Sequence, residues 1–370
     1  MINNTLVDGP YRVEVEHVEI GPPREGHSYA HHASLAVFQD KLYAIWSNGR
    51  FNEDDVRQRV MIAYRETDGN WSTPCVLADH VMAGSTRSVL TATGMHVYGD
   101  TLIAYVGCYE YDEAQLDEKG DRPKKDAHHQ NTRCGYLTST DGIHWSEITW
   151  LPLYMVPNHG PRATRSGRLI ISGNISFPYT DDPKGVSEYI VTGVYGNCFD
   201  GRPVIDDSES IQWITRERGW DVRLMCEGAF YQTDDDVLHM LLRTNGSTLW
   251  CSESVDDGEH WSEPFPTGMT DDGSKFDAGR LPDGRYYYVG NTVPGGGRNP
   301  LVLCLSEDGE NFGTHVILSD APYTQQFAGM YKGGLYGYPH TVIWQDRLWV
   351  ICSKRKECIE VASVRLEDLP

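Results

Sequence analysis

Residues able to do acid–base and nucleophilic chemistry recur at the starts of successive apolar runs in this chain. His31-His32 opens the first run, Arg87 precedes the second, and Asn158-His159-Gly-Pro-Arg162 leads the third. Glu227 opens the fourth, the Asp277 region the fifth, and Tyr338-Pro-His340 the last. Arg243 and Arg298 close neighbouring runs, and Asp54 and Asp55 lie in the polar segment from Asn48 to Arg59. Guanidinium groups pair bidentately with carboxylates, so the arginines suit an anionic ligand. Tyr, His, Glu and Asp can attack or move protons when a neighbour activates them. Each has an ordinary alternative: a histidine satisfied by backbone, an arginine bridging sheets, a packing tyrosine among 21. Adjacent histidines in a regular strand face opposite sides, so only one of His31 and His32 is expected to face a site. His128-His129 sits in a charged stretch and carries less weight. Nothing in these spacings calls for a metal or a cofactor.

The elements that position these residues are strands. Ser34–Trp46, Arg59–Tyr64, Met95–Val106, Arg168–Gly173, Val237–Arg243, Arg285–Gly290 and Arg347–Ser353 are β-rich and bounded by turn residues, and no stretch keeps an apolar stripe at helical period. Four segments repeat a turn followed by an aromatic: Glu66 to Trp71, Ser139 to Trp145, Ser254 to Trp261 and Ser306 to Phe312. The third fits the Asp-box pattern S-x-D-x-G-x-x-W in full. Asp accepts from the turn backbone, Gly takes positive φ and the ring packs between sheets, so these boxes are structural.

The spacings between Asp68, Asp141, Asp257 and Asp308 read as irregular repeats of roughly 50 residues, about four strands each, with the long Asp141–Asp257 interval enough for two blades. The expectation is an all-β, six-bladed β-propeller, with seven blades as the variant. The six lie near 31–80, 88–152, 160–222, 227–268, 274–320 and 338–366, with Tyr11–Ile20 joining the last to close the ring, and residues 1–370 form a single domain. Glu110–Gln130 and Tyr179–Ser210 read as long loops, which on a rigid scaffold often line sites.

Composition narrows the partners. A net charge of −21 argues against nucleic acid and anionic membrane surfaces. No apolar run reaches spanning length, and residues 1–10 do not resemble a leader, which points to the cytoplasm unless one has been removed. Nine cysteines without CxxC spacing read as reduced, mostly core residues, and argue against structural zinc.

The run Cys226-Glu-Gly-Ala-Phe, Val237 to Arg243 and the box Ser254 to Trp261 resembles the sialidase block in which a Glu opens a strand, an Arg ends the next and an Asp-box follows. Gly297-Arg298 to Ser306 is similar to the block carrying a later sialidase arginine, and Gly337-Tyr338 to the segment carrying the nucleophilic tyrosine. The likeness is concentrated in residues 226–354. It implies a sialidase-like hydrolase acting on a glycosidic bond of an acidic oligosaccharide. Tyr338 would attack, Glu227 would activate it, Asp55 or Asp54 would serve as acid/base, and Arg243 and Arg298 would hold the substrate carboxylate. At the place of the first clamp arginine stands His31-His32-Ala-Ser-Leu, which argues against sialic acid itself.

A looser resemblance, resting on residue types and the His-His opening, is to propeller lyases of the ulvan and rhamnose–glucuronate kind. It implies β-elimination at a uronate, with His31, His32, His159, Arg162, Tyr338 and His340 on the channel. A non-catalytic glycan-binding propeller is the third reading. Sugar identity, linkage, stereochemical outcome and oligomeric state stay open at this level.

Overall fold

The computed structural model describes residues 1–125, 127–196, 198–222 and 224–370. The protein is all-β. Among the described residues, six sheets of three or more strands follow one another along the chain, each built on an antiparallel meander, and a seventh is a two-stranded ribbon. The first holds Tyr29–Phe38, Lys41–Gly49, Arg59–Arg65 and Cys75–Ala78. The second holds Ser88–Tyr98, Thr101–Glu110, Gln130–Ser139 and Thr149–Trp150. The third is shorter: His159–Ala163, Leu169–Ser172 and Tyr179–Thr180. The fourth holds Met225–Gln232, Leu238–Thr244, Thr248–Ser254 and Phe265–Thr270. The fifth holds Asp277–Arg280, Tyr286–Gly290, Leu301–Ser306 and Thr314–Ser319, and the sixth Tyr336–Trp344, Arg347–Lys354 and Cys358–Arg365. Each sheet begins within a few residues of the repeat boundaries read from the sequence.

The opening strands meet in order. That of the first sheet packs on that of the second, the second on the third, the fourth on the fifth, the fifth on the sixth, and the sixth back on the first. The third reaches the fourth through Leu169–Ser172. Large buried residues fill the spaces between sheets: Ile45, Leu90, Leu102 and Val106 in one cluster, Ile170, Phe230 and Trp261 in another, Tyr288, Phe276 and Phe312 in a third.

The N-terminal region divides between two sheets. Glu16–Gly21 pairs antiparallel with Cys358–Arg365, as expected of a closing strand. Asp8–Tyr11 instead lies parallel to Thr314–Ser319 on the fifth sheet, so Tyr11 belongs to a different sheet from the one the sequence suggested.

The four turn repeats share one geometry, with one correction. In the third, the residue accepting from the turn backbone is Asp256, not Asp257: Ser254 Oγ donates to Asp256 Oδ1 at 2.9 Å, and His260 N donates to the same oxygen at 2.9 Å. Asp257 is turned outward to Ser166 Oγ at 2.6 Å. Asp141 and Asp308 accept from following backbone amides in the same way. Trp261 and Phe312 are buried, whereas Trp71 and Trp145 are only partly so.

The two long stretches are not featureless. Residues 110–130 hold a short turn at Glu113–Gln115. Beyond Tyr179–Thr180 come a two-stranded ribbon, Cys198–Phe199 with Arg202–Pro203, and the helix Ser208–Arg218, capped by Asp207 accepting from Ser210 N at 2.8 Å. Residues 126 and 197 of these stretches lie outside the described residues. The nine cysteines form no disulfide, and only Cys75 and Cys198 are exposed.

Candidate active site

A repeated backbone irregularity aims the candidate residues. The opening strands of the first, fourth and sixth sheets each lose register after their third, second and second residues respectively: between His31 and Ser34, Cys226 and Ala229, and Gly337 and His340. In each, the next residue takes a left-handed conformation: His32 at φ 52°, Glu227 at φ 53°, Tyr338 at φ 57°. Such bulges re-aim a side chain, and non-glycine residues held at positive φ are uncommon enough to mark function. The bulge also explains why both His31 and His32 reach Tyr338, against the alternation expected of a regular strand. Their ring centroids lie 4.0 and 5.2 Å from that of the tyrosine.

Around Tyr338 is a cavity of about 350 Å³. Its floor is Tyr338, Glu227, Arg243, Arg298, Lys275 and Lys356; its walls include His32, Glu53, Asp54, Tyr109, His129, Asn174 and Asp206. The Tyr338 hydroxyl donates to Glu227 Oε1. Arg243 Nη1 donates to Glu227 Oε2 at 2.5 Å and to the Tyr338 oxygen at 2.9 Å. Burial opposes the Glu227 charge, yet Arg243 and the tyrosine hydroxyl hold its carboxyl below the usual range. Burial and the adjacent Glu227 push the Tyr338 phenol well above its ordinary value, with Arg243 and Arg298 pulling the other way. The resting site is therefore a phenol hydrogen-bonded to a carboxylate. It stands beneath four cations: Arg243, Arg298, Lys275 and Lys356 lie 6.0, 5.6, 5.7 and 6.0 Å from the ring centre.

Two of these charges are already balanced. Arg243 pairs with Glu227, and Lys356 Nζ pairs with Glu53 Oε2 at 2.5 Å. Arg298 Nη2 donates only to the Gly273 carbonyl at 2.9 Å, while its Nη1 is buried without a partner. On the opposite wall Asp54, at φ 66°, accepts from the Tyr109 hydroxyl. Burial and then the neighbouring Glu53 raise its carboxyl to about 7, against the pull of that hydrogen bond. Tyr109 is in turn stacked on His129, centroids 3.9 Å apart.

Several expected site residues lie elsewhere. Asp55 turns away from the cavity, accepting from Asn52 N at 3.1 Å and facing Arg122 in a separate cleft. The left-handed Asp54 reverses the chain between them, so the two carboxylates point apart. His159, Arg162 and His340 form a lattice of their own. Arg162 Nη1 pairs with Asp277 Oδ1 at 2.9 Å, and Asp277 Oδ2 accepts from Thr341 N at 2.7 Å. The ring of His159 meets the Phe276 carbonyl at 3.1 Å, and His340 Nδ1 accepts from Leu35 N at 3.2 Å. These residues tie the third, fifth, sixth and first sheets together rather than line the cavity. Arg87 is also outside it, in a turn where its amide donates to Ser85 Oγ. Glu53, Lys275, Lys356 and Asp206 line the site without having been singled out in the sequence.

Two groups among the described residues have donor atoms close enough for a cation: His239, Cys251 and Glu253, away from the cavity, and a second beside Tyr338. Donor atoms of His31, His32 and Glu53 lie within 4.8 Å of one another, and His31 Nε2 and His32 Nδ1 are buried without partners. Both Glu53 oxygens are engaged, by Tyr29 and Lys356, and the surrounding lysines and arginines oppose a second positive charge. The cluster fits a metal poorly.

The family model for a BNR repeat-like domain matches residues 40–350. The chain belongs to that family. Comparison with curated proteins gives no match. Among solved structures, this BNR-repeat protein is similar to a mutant of the NanB sialidase from Streptococcus pneumoniae, with a TM-score of 0.65 and 13% identity over 98% of this chain and 71% of that one. It is similar to a protein of unknown function from Dyadobacter fermentans, TM-score 0.63 and 15% identity over 95% and 99% of the two chains. It is also similar to the intramolecular trans-sialidase from Ruminococcus gnavus in complex with oseltamivir carboxylate, TM-score 0.59 and 14% identity over 95% and 97%. Together with the family match, these place the chain in the sialidase-like superfamily.

Proposed function

We propose that the six sheets are the blades of one β-propeller and that the cavity at its centre cleaves a glycosidic bond in an acidic oligosaccharide. The observation that carries the reading is the hydrogen-bonded chain Tyr338–Glu227–Arg243, with four cations about the tyrosine ring of which Lys275 and Arg298 have no carboxylate partner among the described residues. A phenol needs a base to attack near neutral pH, and Glu227 accepts its proton. Tyrosine suits an anionic substrate, which would repel a carboxylate nucleophile. Asp54, protonated up to about pH 7, donates to the leaving oxygen and later takes a proton from water. Of the residue pair Asp54 and Asp55, only the former lines the cavity.

One observation favours elimination as the second reading: His31 and His32 both pack on Tyr338 with an unpartnered ring nitrogen. Burial lowers both imidazoles, His32 to about 4, so each is a neutral base at pH 7. A panel of acidic oligosaccharides assayed for reducing ends and for ultraviolet-absorbing unsaturated sugars tests both. Reducing ends without unsaturation support hydrolysis. Unsaturated products overturn it in favour of a lyase, and binding without any cleavage leaves a glycan-binding propeller.

A further inference from the structure

Lys275 is one of two cations on the cavity floor that no carboxylate pairs with among the described residues. It precedes the opening strand of the fifth sheet, and only 4% of it is exposed. Its Nζ donates to a single backbone acceptor, the Asn158 carbonyl, at 2.5 Å. Among the described residues no carboxylate comes within ion-pair distance of it. Arg298, on the same floor, also lacks a carboxylate for its side chain, and its Nη1 has no partner at all. An ammonium taken out of water costs several kcal/mol unless opposite charge and hydrogen bonds replace the solvent. Here Arg243 is answered by Glu227 and Lys356 by Glu53, so of the four cations on the floor Lys275 and Arg298 are the two without an ion-pair partner among the described residues.

We infer that Lys275 and Arg298 together form the seat of the substrate's carboxylate, with Lys275 supplying the cationic arm that the His31-His32 opening does not. The inference rests on the proposed acidic-sugar reading for the class of the anion, and it adds the residue that selects it. The rings of His31 and His32 cover one side of Tyr338, and the cationic floor lies about the rest. An anion seated on Lys275 and Arg298 stays within reach of the Tyr338 ring, as a substrate attacked by that tyrosine must. An ammonium is a point charge without the planar fork of a guanidinium. The seat therefore selects for charge more than for the fixed bidentate geometry that an arginine triad imposes.

The charged and titratable groups facing Lys275 are Glu227 from the fourth sheet, Asp277 from its own segment, Arg162 from the third, and Tyr338 and His340 from the sixth, with His31, His32 and His159 close by. Burial lowers the amine to about 8, with Glu227 and Asp277 pulling it back up. An anion that binds through the ammonium is accordingly released as pH rises through that range.

The test uses the whole protein and reads binding rather than turnover. Thermal unfolding is followed at pH 6.5 and constant ionic strength with N-acetylneuraminate, D-glucuronate and D-galacturonate, against chloride and D-glucose. At least one carboxylate sugar should raise the wild-type midpoint saturably, where chloride and glucose do not. Lys275→Met should weaken that ligand by about tenfold to a hundredfold, the value of a charged hydrogen bond. Without ligand the same variant should unfold at a higher temperature than wild type, because an unanswered buried charge is gone. Lys275→Arg should retain binding, and retain it above pH 8 where wild type loses it. The inference is overturned if no carboxylate sugar moves the wild-type midpoint, or if Lys275→Met binds as tightly as wild type. A folded Lys275→Met less stable than wild type in the absence of ligand also overturns it, since the lysine would then be structural. Carboxylate binding that depends on Lys275, together with no cleavage of any oligosaccharide in the panel above, would leave this inference standing and remove the glycosidase reading.

Discussion

The Tyr338 hydroxyl donates its hydrogen to Glu227 Oε1 across 111 residues of sequence, and Arg243 bonds both partners of that contact. The tyrosine and the glutamate occupy the same place in their sheets, one residue into a register break and both left-handed. The contact is made by two copies of one backbone device.

This arrangement makes the Tyr338–Glu227 pair act as a unit. Tyr338→Phe is expected to lower kcat by roughly three orders of magnitude or more while leaving substrate binding largely intact. Glu227→Gln should be of similar severity, and the double variant little worse than either, as for groups that serve one step. Replacing His32 by Ala should cost far less. Single-turnover assays on one confirmed substrate check the order; a His32→Ala loss larger than that of Glu227→Gln would move the chemistry to elimination.

If the proposed hydrolysis holds, Asp54 should set the alkaline limb of the pH profile. As the acid it must be protonated, so kcat/KM should fall as pH rises through about 7. The Tyr109 hydroxyl stabilises the ionised form, and Tyr109→Phe should therefore move that limb upward by up to about one unit. Asp54→Asn should remove the limb. It should also damage hydrolysis of alkyl glycosides much more than that of aryl glycosides, whose leaving groups need no proton. The acid limb belongs to Glu227, which must be ionised and is held below the usual carboxylate range.

Gly94 should tolerate no side chain. It stands at φ 140°, and a Cβ there would lie 2.4 Å from the backbone nitrogen of Gly160 and 2.6 Å from its Cα. Two opening strands approach through this contact, so relief requires moving a sheet. Gly94→Ala should cost about 3 kcal/mol or more in denaturant unfolding, with a proportionate loss of activity only where the fold is lost.

Lys332 and Glu357 form a fully buried ion pair at 3.4 Å, 1% and 0% exposed. Glu357 also accepts from Gln326 N at 2.6 Å, and Lys332 donates to the Ser28 carbonyl at 2.8 Å. The pair fixes residues 326–332 beside Lys356 and the first sheet. Glu357→Gln should destabilise by about 3–5 kcal/mol because it strands the lysine, while Lys332→Met combined with Glu357→Leu should recover much of the loss. Equilibrium unfolding of the single and the double variant distinguishes a stranded charge from lost packing.

The repeat made the fold legible. Turn residues and aromatics at regular intervals mark sheet boundaries because every sheet solves the same packing problem. Trp71 and Trp145 are less covered than the repeat implied, and Asp256 rather than Asp257 closes its turn, since the acceptor lies two residues after the serine here as at Asp141 and Asp308 and the extra residue of this box follows it. The cavity lining was legible where a chemical residue opens a strand, as with Glu227, Tyr338 and His32. It was misread at His159, Arg162 and His340, which open strands equally well but face the sheet lattice. Which way an opening residue points depends on the bulge and its left-handed φ, and a strand pattern does not carry that information. Glu53, Lys275 and Lys356 come from segments between strands, where sequence periodicity is silent.

The pairing of Glu16–Gly21 with Cys358–Arg365 has a consequence for the order of assembly. His32, Glu53 and Asp54 meet Tyr338 and Lys356 only after segments some three hundred residues apart have found each other. Closing so long a loop is slow compared with forming any one meander. Most of the sheet can therefore exist before the cavity does, and recovered activity during refolding should lag the recovery of β-structure. On the proposed reading, recovered activity would mark the last event of folding, the meeting of the chain's two ends.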